Sequence, residues 1–430
     1  MPDQKIFCSV PWTNTHIYWD GSFGLCCSER EPPHNEPDIY NIKNLTVGEW
    51  YNQPPMQAKR IAIKSNEPIQ GCRDCYKEEL HGHESRRIRE NYKTVIFTEQ
   101  AFDRSYQQSP MRDAFTVTTD RQPIDWHIDL GNECNLACKM CNPRASSKIS
   151  SLYQKWKLID QTANNNWTTD DQSWQSFKKS ILQTPNLNRL HFMGGEPLLN
   201  KKFVELLDFL IECQLTDISI SFVSNGTMVY DNIIRKLKKF KSCDIEISLE
   251  SVKPNNHYIR QGSDTNDIKK TVKQLISNRT DNFNVVLRTV PQLLNVNNYH
   301  ELINWAWQNQ IAIVSIPLTE PEYLQISVLP LALRKGLIPQ YQDLLNRIKD
   351  CIPERNGIVS GRNTSEIESI LARHIETIIS MLSVEEPGNL QQLQAELISW
   401  LTKWDKEFGL DARDFYPEYC DFLEENGYAI

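Results

Sequence analysis

The stretch Ile124-Asp-Trp-His-Ile-Asp-Leu130-Gly-Asn-Glu-Cys134-Asn-Leu-Ala-Cys138-Lys-Met-Cys141 decides how this chain is read. A short apolar run of strand length ends at Leu130 and passes directly into three cysteines spaced CxxxCxxC. That spacing suits a short loop wrapped around one iron–sulfur cluster. Three thiolates serve three irons of a four-iron cube and leave the fourth open, whereas clusters that only carry electrons normally take four cysteines. The spacing alone leaves a zinc loop, or cysteines buried as small apolar residues, as alternatives.

Downstream of this loop, strand and helix signals alternate. Apolar, β-branched runs begin near Ile124, Leu187, Asp217, Asp244, Phe283 and Ile311. Between them lie helical spacings such as Phe203, Leu206, Leu207, Leu210 and Ile233, Ile234, Leu237, Phe240. This order predicts a parallel α/β sheet. Six such units are too few for a closed eight-unit barrel, so the expectation is a partial, TIM-like (β/α)6 barrel over residues 124–320. Cys134, Cys138 and Cys141 then fall at the C-terminal rim of the first strand. Residues 142–186 read as a helix, a loop and a second helix. From 321 to 430 the pattern becomes helical: Ile367, Ile370, Leu371, His374, Ile378 and Leu382 mark one apolar face, and Leu390, Leu393, Leu397, Trp400, Leu401 and Trp404 another. His374, on such a stripe, reads as a core histidine.

Gly194-Gly195-Glu196-Pro197 follows the second strand. Paired glycines let backbone approach a ligand closely, Glu196 adds a charge, and Pro197 suits the entry to the next helix. The third strand ends in Ser224-Asn225-Gly226-Thr227, and the fourth places Ser248 and Glu250 on one alternating face. Taken in order, the three-cysteine loop, the Gly-Gly-Glu-Pro turn, the Asn-Gly turn and the fourth strand resemble the radical S-adenosylmethionine (SAM) enzymes across residues 124–320. Met140 departs from that pattern, which more often has an aromatic residue there. The resemblance implies that Cys134, Cys138 and Cys141 hold a [4Fe-4S] cluster with an open site. It also implies that Gly194, Gly195, Glu196 and Pro197 grip the SAM amino group, while Asn225, Ser248 and Glu250 face ribose or substrate. Arg260 and Arg288 are candidates for a carboxylate of SAM or substrate. The implied chemistry is reductive cleavage of SAM to a 5′-deoxyadenosyl radical, which removes a hydrogen atom from substrate.

Ahead of the barrel, Cys8 is followed by Gly21, Cys26 and the pair Cys72-Arg-Asp-Cys75. Four thiolates are the count for a second, fully ligated [4Fe-4S] cluster; a four-cysteine zinc site is the alternative, and Cys27 can replace Cys26. Tyr18-Trp-Asp20-Gly-Ser-Phe-Gly24 reads as a hairpin with Asp-Gly at its turn. The arrangement in residues 1–92 resembles the auxiliary-cluster modules called SPASM and twitch, although in the best-known members the module follows the barrel. Residues 93–123 read as a linker. Glu78–Asn91, with Glu84, Arg86, Arg87 and Arg89, reads as a helix leading into the barrel, its basic face solvated or, as the alternative, lining the active-site mouth; Arg235–Lys239 reads as a solvated helix face. Of the remaining cysteines, Cys27, Cys213, Cys243, Cys351 and Cys420, nothing singles one out as a hydrogen-atom donor.

Twelve cysteines with 40% hydrophobic and 24% charged residues suit a globular protein of a reducing compartment whose thiols serve metal chemistry. No apolar run is long enough to span a membrane and the start lacks a signal pattern, so a cytoplasmic location is expected. The net charge of −8 speaks against nucleic acid as a partner. The resemblance implies a reducing electron donor such as flavodoxin or ferredoxin. It also implies a substrate that is a peptide or protein undergoing modification, or a small molecule (amino sugar, amino acid or natural product) undergoing dehydrogenation or epimerisation. A non-enzymatic iron–sulfur or zinc protein explains the cysteines but not the Gly-Gly-Glu-Pro and Asn-Gly turns.

Overall fold

The computed structural model describes residues 6–29, 35–80, 85–91, 116–119, 122–162, 166–316, 318–351, 358–359 and 362–427. Glu84 and most of the expected linker 93–123 lie outside them. The sheet strands, in chain order, are β1 (Asn14–Ile17), β2 (Phe23–Gly24), β3 (Asp125–Asp129), β4 (Arg189–Met193), β5 (Ser219–Ser224), β6 (Ser242–Ser248), β7 (Phe283–Thr289) and β8 (Ile313–Ser315). All six expected strands form, and helices follow β4, β5, β6 and β7. The chain is therefore α/β, with a helical C-terminal region. By compactness it divides into two units, Met1–Glu133 with Asp160–Ser221 and Cys134–Ile159 with Phe222–Ile430. The units follow packing, and so interleave the segments read from motifs.

In the first unit the strand order is β5-β4-β3-β1-β2. β3 pairs in parallel with β4, Trp126 opposite Leu190 and Ile128 opposite Phe192. These apolar residues point to one face and are fully buried. Trp126 lies 6.1 Å from Phe177 of helix Asp171–Leu182, and Phe192 lies 5.0 Å from Phe203 of helix Lys201–Glu212. Each such side chain contributes roughly 1.5–3 kcal/mol on burial. The hairpin forms as expected, with Ile17 opposite Phe23 and Gly21 at φ +82°. What the sequence did not show is that β1 also pairs in parallel with β3, Thr15 opposite Trp126. A two-stranded hairpin is marginal alone, and the sheet edge supplies its missing partner.

In the second unit the order is β8-β7-β6-β5, with Ile245 opposite Val285 and Ile247 opposite Leu287. Helix Thr265–Ser277, N-capped by Asp264, buries Ile268, Val272 and Leu275. The expected helices Thr364–Ser383 and Leu390–Phe408 form. A longer one, Leu331–Cys351, was masked in the sequence by Gly336 and Pro339 inside it. His374 is buried and hydrogen-bonds Tyr299 Oη (2.7 Å) and Ser315 Oγ (3.0 Å), as a core histidine does. Among the described residues no helix is long and apolar enough to cross a membrane.

Candidate active site and iron–sulfur sites

The cluster loop opens the second unit. Ser147 Oγ accepts from Cys134 N (3.1 Å), and Ser146 caps helix Ser147–Lys155 while its hydroxyl donates to Leu136 O (3.2 Å). Ala137–Cys138 forms a two-residue antiparallel pairing with Arg260–Gln261. Arg260 Nη1 donates to Cys138 Sγ (3.2 Å) and its Nε to Glu250 Oε1 (3.1 Å). The other Glu250 oxygen accepts from Val290 N (2.8 Å). Glu250, the candidate for ribose or substrate, thus hydrogen-bonds Arg260, and Arg260 the Cys138 thiol. Arg288 is likewise ion-paired with Glu246, and Ser248 is buried at the end of β6.

Asn225 and the cluster loop are joined directly. Asn225 Nδ2 donates to Asn135 Oδ1 (2.7 Å), and Asn135 Nδ2 donates to Thr227 Oγ1 (2.9 Å). Gly226, at φ +77°, sits where a Cβ would press on Ile247. Burial pushes the Cys138 thiol up to about 11, with Arg260 drawing it back, and the Cys141 thiol up to about 12. Lys139 was not singled out in the sequence, yet it anchors the loop. Its Nζ donates to Tyr258 O (2.9 Å) and lies 3.7 Å over the Tyr258 ring, and burial lowers its amine to about 7.

The Gly-Gly-Glu-Pro turn belongs to the first unit. Gly194 and Gly195 have φ of +78° and +58°. A Cβ on Gly194 would lie 2.7 Å from Gly131 O, and one on Gly195 2.2 Å from Glu133 O. Glu196 N donates to Glu133 O (2.8 Å), so the turn rests on the backbone that leads into Cys134. Only glycine fits this approach. Pro197 does not enter the helix as its residue type suggested: helix Lys201–Glu212 begins later, capped by Asn200.

In the same unit Cys8, Cys26, Cys72 and Cys75 line one cavity together with Arg86 and Arg87. Cys27 turns instead toward Arg86 Nη1, which donates to its sulfur. The basic run is thus not a solvated face throughout: the Arg86 side chain is 11% exposed and Arg87 8%, and only Arg89 points to solvent. Buried Glu29 braces the Cys26 loop by accepting from Leu25 N (3.0 Å) and pairing with Lys59 (3.0 Å). Burial raises the Cys72 thiol to about 12. Four thiols facing one cavity fit a site where metal replaces their protons and the guanidiniums of Arg86 and Arg87 offset the charge. Among the described residues no three His, Cys, Asp or Glu groups gather around a single-ion position. The thiolates of a cube attach to separate irons and therefore line a cavity rather than meet at a point.

A set of residues the sequence reading missed occupies the polar face of β1, β3 and β4. His16 stands opposite His127, and His127 opposite His191. Arg86 and Arg189 both donate to His127 Nε2 (2.9 and 3.1 Å), which leaves the proton on Nδ1 and the ring neutral. His16 Nε2 lies 3.2 Å from Asp129 Oδ2. The signal was present in Asn14-x-His16 and Asp125-x-His127-x-Asp129, polar residues alternating within apolar strands.

A model of the radical SAM superfamily matches residues 128–306, and a model of the iron–sulfur cluster-binding SPASM domain matches residues 8–76. Among solved structures, Streptococcus suis SuiB bound to S-adenosylmethionine is 14% identical with TM-score 0.36, covering 65% of this chain and 60% of SuiB. The anSMEcpe protein with bound AdoMet is 14% identical with TM-score 0.40, covering 56% of this chain and 64% of its own. TYW1 with a lysine-pyruvate adduct is 14% identical with TM-score 0.30, covering 61% and 89%. The chain spans about three-fifths of the length of SuiB. No curated protein matches it.

Proposed function

Because this chain belongs to the radical SAM superfamily and carries a SPASM iron–sulfur domain, we propose that it is an enzyme modifying a peptide or protein by hydrogen-atom abstraction. The reading is carried by the cluster loop, whose three thiols stand in one short segment with Arg260 on Cys138 and Asn225 on Asn135. When bound, the cluster and SAM supply a radical able to attack an unactivated carbon. The residues of the chain hold and orient. Cys134, Cys138 and Cys141 present three thiolates, Arg260 sets a cation beside one of them, and Glu250 keeps that cation in place. Gly194 and Gly195 bring bare backbone where the SAM amino group is to be held. Cys8, Cys26, Cys72 and Cys75 hold a second cluster beside Arg86 and Arg87.

A peptide or protein substrate is favoured by the polar face of β1, β3 and β4. There His16 Nδ1, His127 Nδ1 and the Tyr18 hydroxyl are buried with no hydrogen-bond partner among the described residues. Buried polar groups are almost always paired, and the amides of a peptide supply both donors and acceptors. The test is anaerobic reconstitution with iron and sulfide, followed by a dithionite assay for 5′-deoxyadenosine and mass spectrometry of peptides co-produced with the enzyme. A shifted peptide mass, dependent on Cys138, supports the reading. 5′-Deoxyadenosine stimulated by amino sugars or amino acids alone would move the substrate to the small-molecule class.

A further inference from the structure

Between Glu133 and Asp160 the chain contains no acidic residue and five cations, in a molecule of net charge −8. Lys139 is buried; Arg144, Lys148, Lys155 and Lys157 are exposed along the segment that follows the cluster loop. The charges brought up by helix Leu390–Phe408 do not cancel this strip. Glu407 is taken by Lys155 (2.6 Å), Asp405 turns inward to accept from Ala412 N (2.8 Å), and Lys403 and Lys406 add positive charge against Glu396. Single-sign strips steer oppositely charged partners.

The same surface leads inward to a cluster ligand. Cys141, Tyr153, Trp156 and Trp400 all pack against one buried core formed by Ala137, Ile149 and Trp404. Trp156 lies 5.4 Å from Trp400 and 5.5 Å from Trp404, and Tyr153 lies 5.4 Å from Trp400. Tyr153, Trp156 and Trp400 are only half-buried. Aromatic rings ringed by charge are the usual make-up of a protein-binding patch, and here they connect solvent with a cluster thiol.

We propose that this basic, aromatic face is the docking surface for a small acidic one-electron carrier protein. The proposal rests on the reading of Cys134, Cys138 and Cys141 as ligands of the reducible cluster. The carrier is oxidised by one electron and the cluster is reduced by one; no atom is transferred. Rim charges act mainly on association rate and salt dependence. The experiment uses the full chain, reconstituted, with purified flavodoxin, its reductase and NADPH as the probe carrier and dithionite as the small-molecule control. The triple variant R144E/K148E/K157E changes only exposed side chains. We expect its flavodoxin-supported 5′-deoxyadenosine formation to fall about tenfold or more at low salt, with the dithionite-supported rate unchanged. Calorimetric titration with flavodoxin should show binding to the wild type that weakens as salt rises, and none to the variant. Flavodoxin binding and turnover by the variant within about twofold of wild type would overturn the docking surface. An equal loss with dithionite would assign the strip to substrate or folding, and also overturn it. Absence of 5′-deoxyadenosine from iron-loaded wild type with dithionite would instead sink the functional reading, while the calorimetry still decides the docking.

Discussion

Glu250 has no exposed surface, and both of its oxygens are engaged, one by Arg260 and one by Val290 N. Removing one member of a buried ion pair leaves the other charge uncompensated, at a cost of about 3–5 kcal/mol. Glu250→Ala should therefore lower stability by that order in urea unfolding, and Glu250→Gln, which keeps one hydrogen bond, by less. His374 makes a second prediction. Burial lowers its pKa to about 4, against about 6.5 in the unfolded chain. The unfolded state takes up the proton first, so this residue leaves stability intact above about pH 6.5 and withdraws up to about 3 kcal/mol as pH falls toward 4. Urea midpoints of the wild type should fall between pH 7 and 5 more steeply than those of His374→Gln. Equal slopes would mean that the imidazole is not held neutral by its site.

At the scale of elements, the turn after β4 depends on backbone that no side chain can share. Gly195→Ala would set a Cβ 2.2 Å from Glu133 O in a left-handed conformation. The expected result is SAM affinity reduced more than about tenfold, roughly 1.4 kcal/mol, with iron content unchanged; unaltered SAM binding in calorimetry would remove the turn from the site. This turn and the Asn225-Gly226 turn were legible because glycine announces positive φ locally. Arg86 and Arg87 were not, since a basic helical run looks alike whether it faces solvent or a thiol-lined cavity. Pro197 misled for a related reason: the helix start was settled by the Asn200 cap, which bonds Lys202 N and Leu130 O.

At the scale of the whole molecule, the seven cysteines proposed as ligands, of twelve in the chain, fall into two sets that substitutions should separate. The reconstituted chain is expected to hold about eight irons, four per cluster. Cys138→Ala should abolish 5′-deoxyadenosine and retain about four irons. Cys72→Ala/Cys75→Ala, which leaves only two thiols in that cavity, should also drop to about four, yet still cleave SAM with dithionite. If this double variant kept all its iron, the cavity lined by Cys8, Cys26, Cys72 and Cys75 would not be the second cluster site.

By itself the sequence determined which residues are candidate ligands and the order of the β/α units. Thiol spacing in one loop, glycine at a strand end and period-two or period-3.6 burial are local properties, written within a few residues of one another. Only the tertiary structure decided that β1 joins β3, that Arg260 is held by Glu250 against Cys138, and that His16, His127 and His191 stand side by side. It also decided that Cys26 lines the cavity with Cys72 while Cys27 meets Arg86. These pairs are far apart in the chain or compete for one position, and burial selects among them. A cation is placed beside a thiol because desolvation makes any other arrangement of those groups more costly.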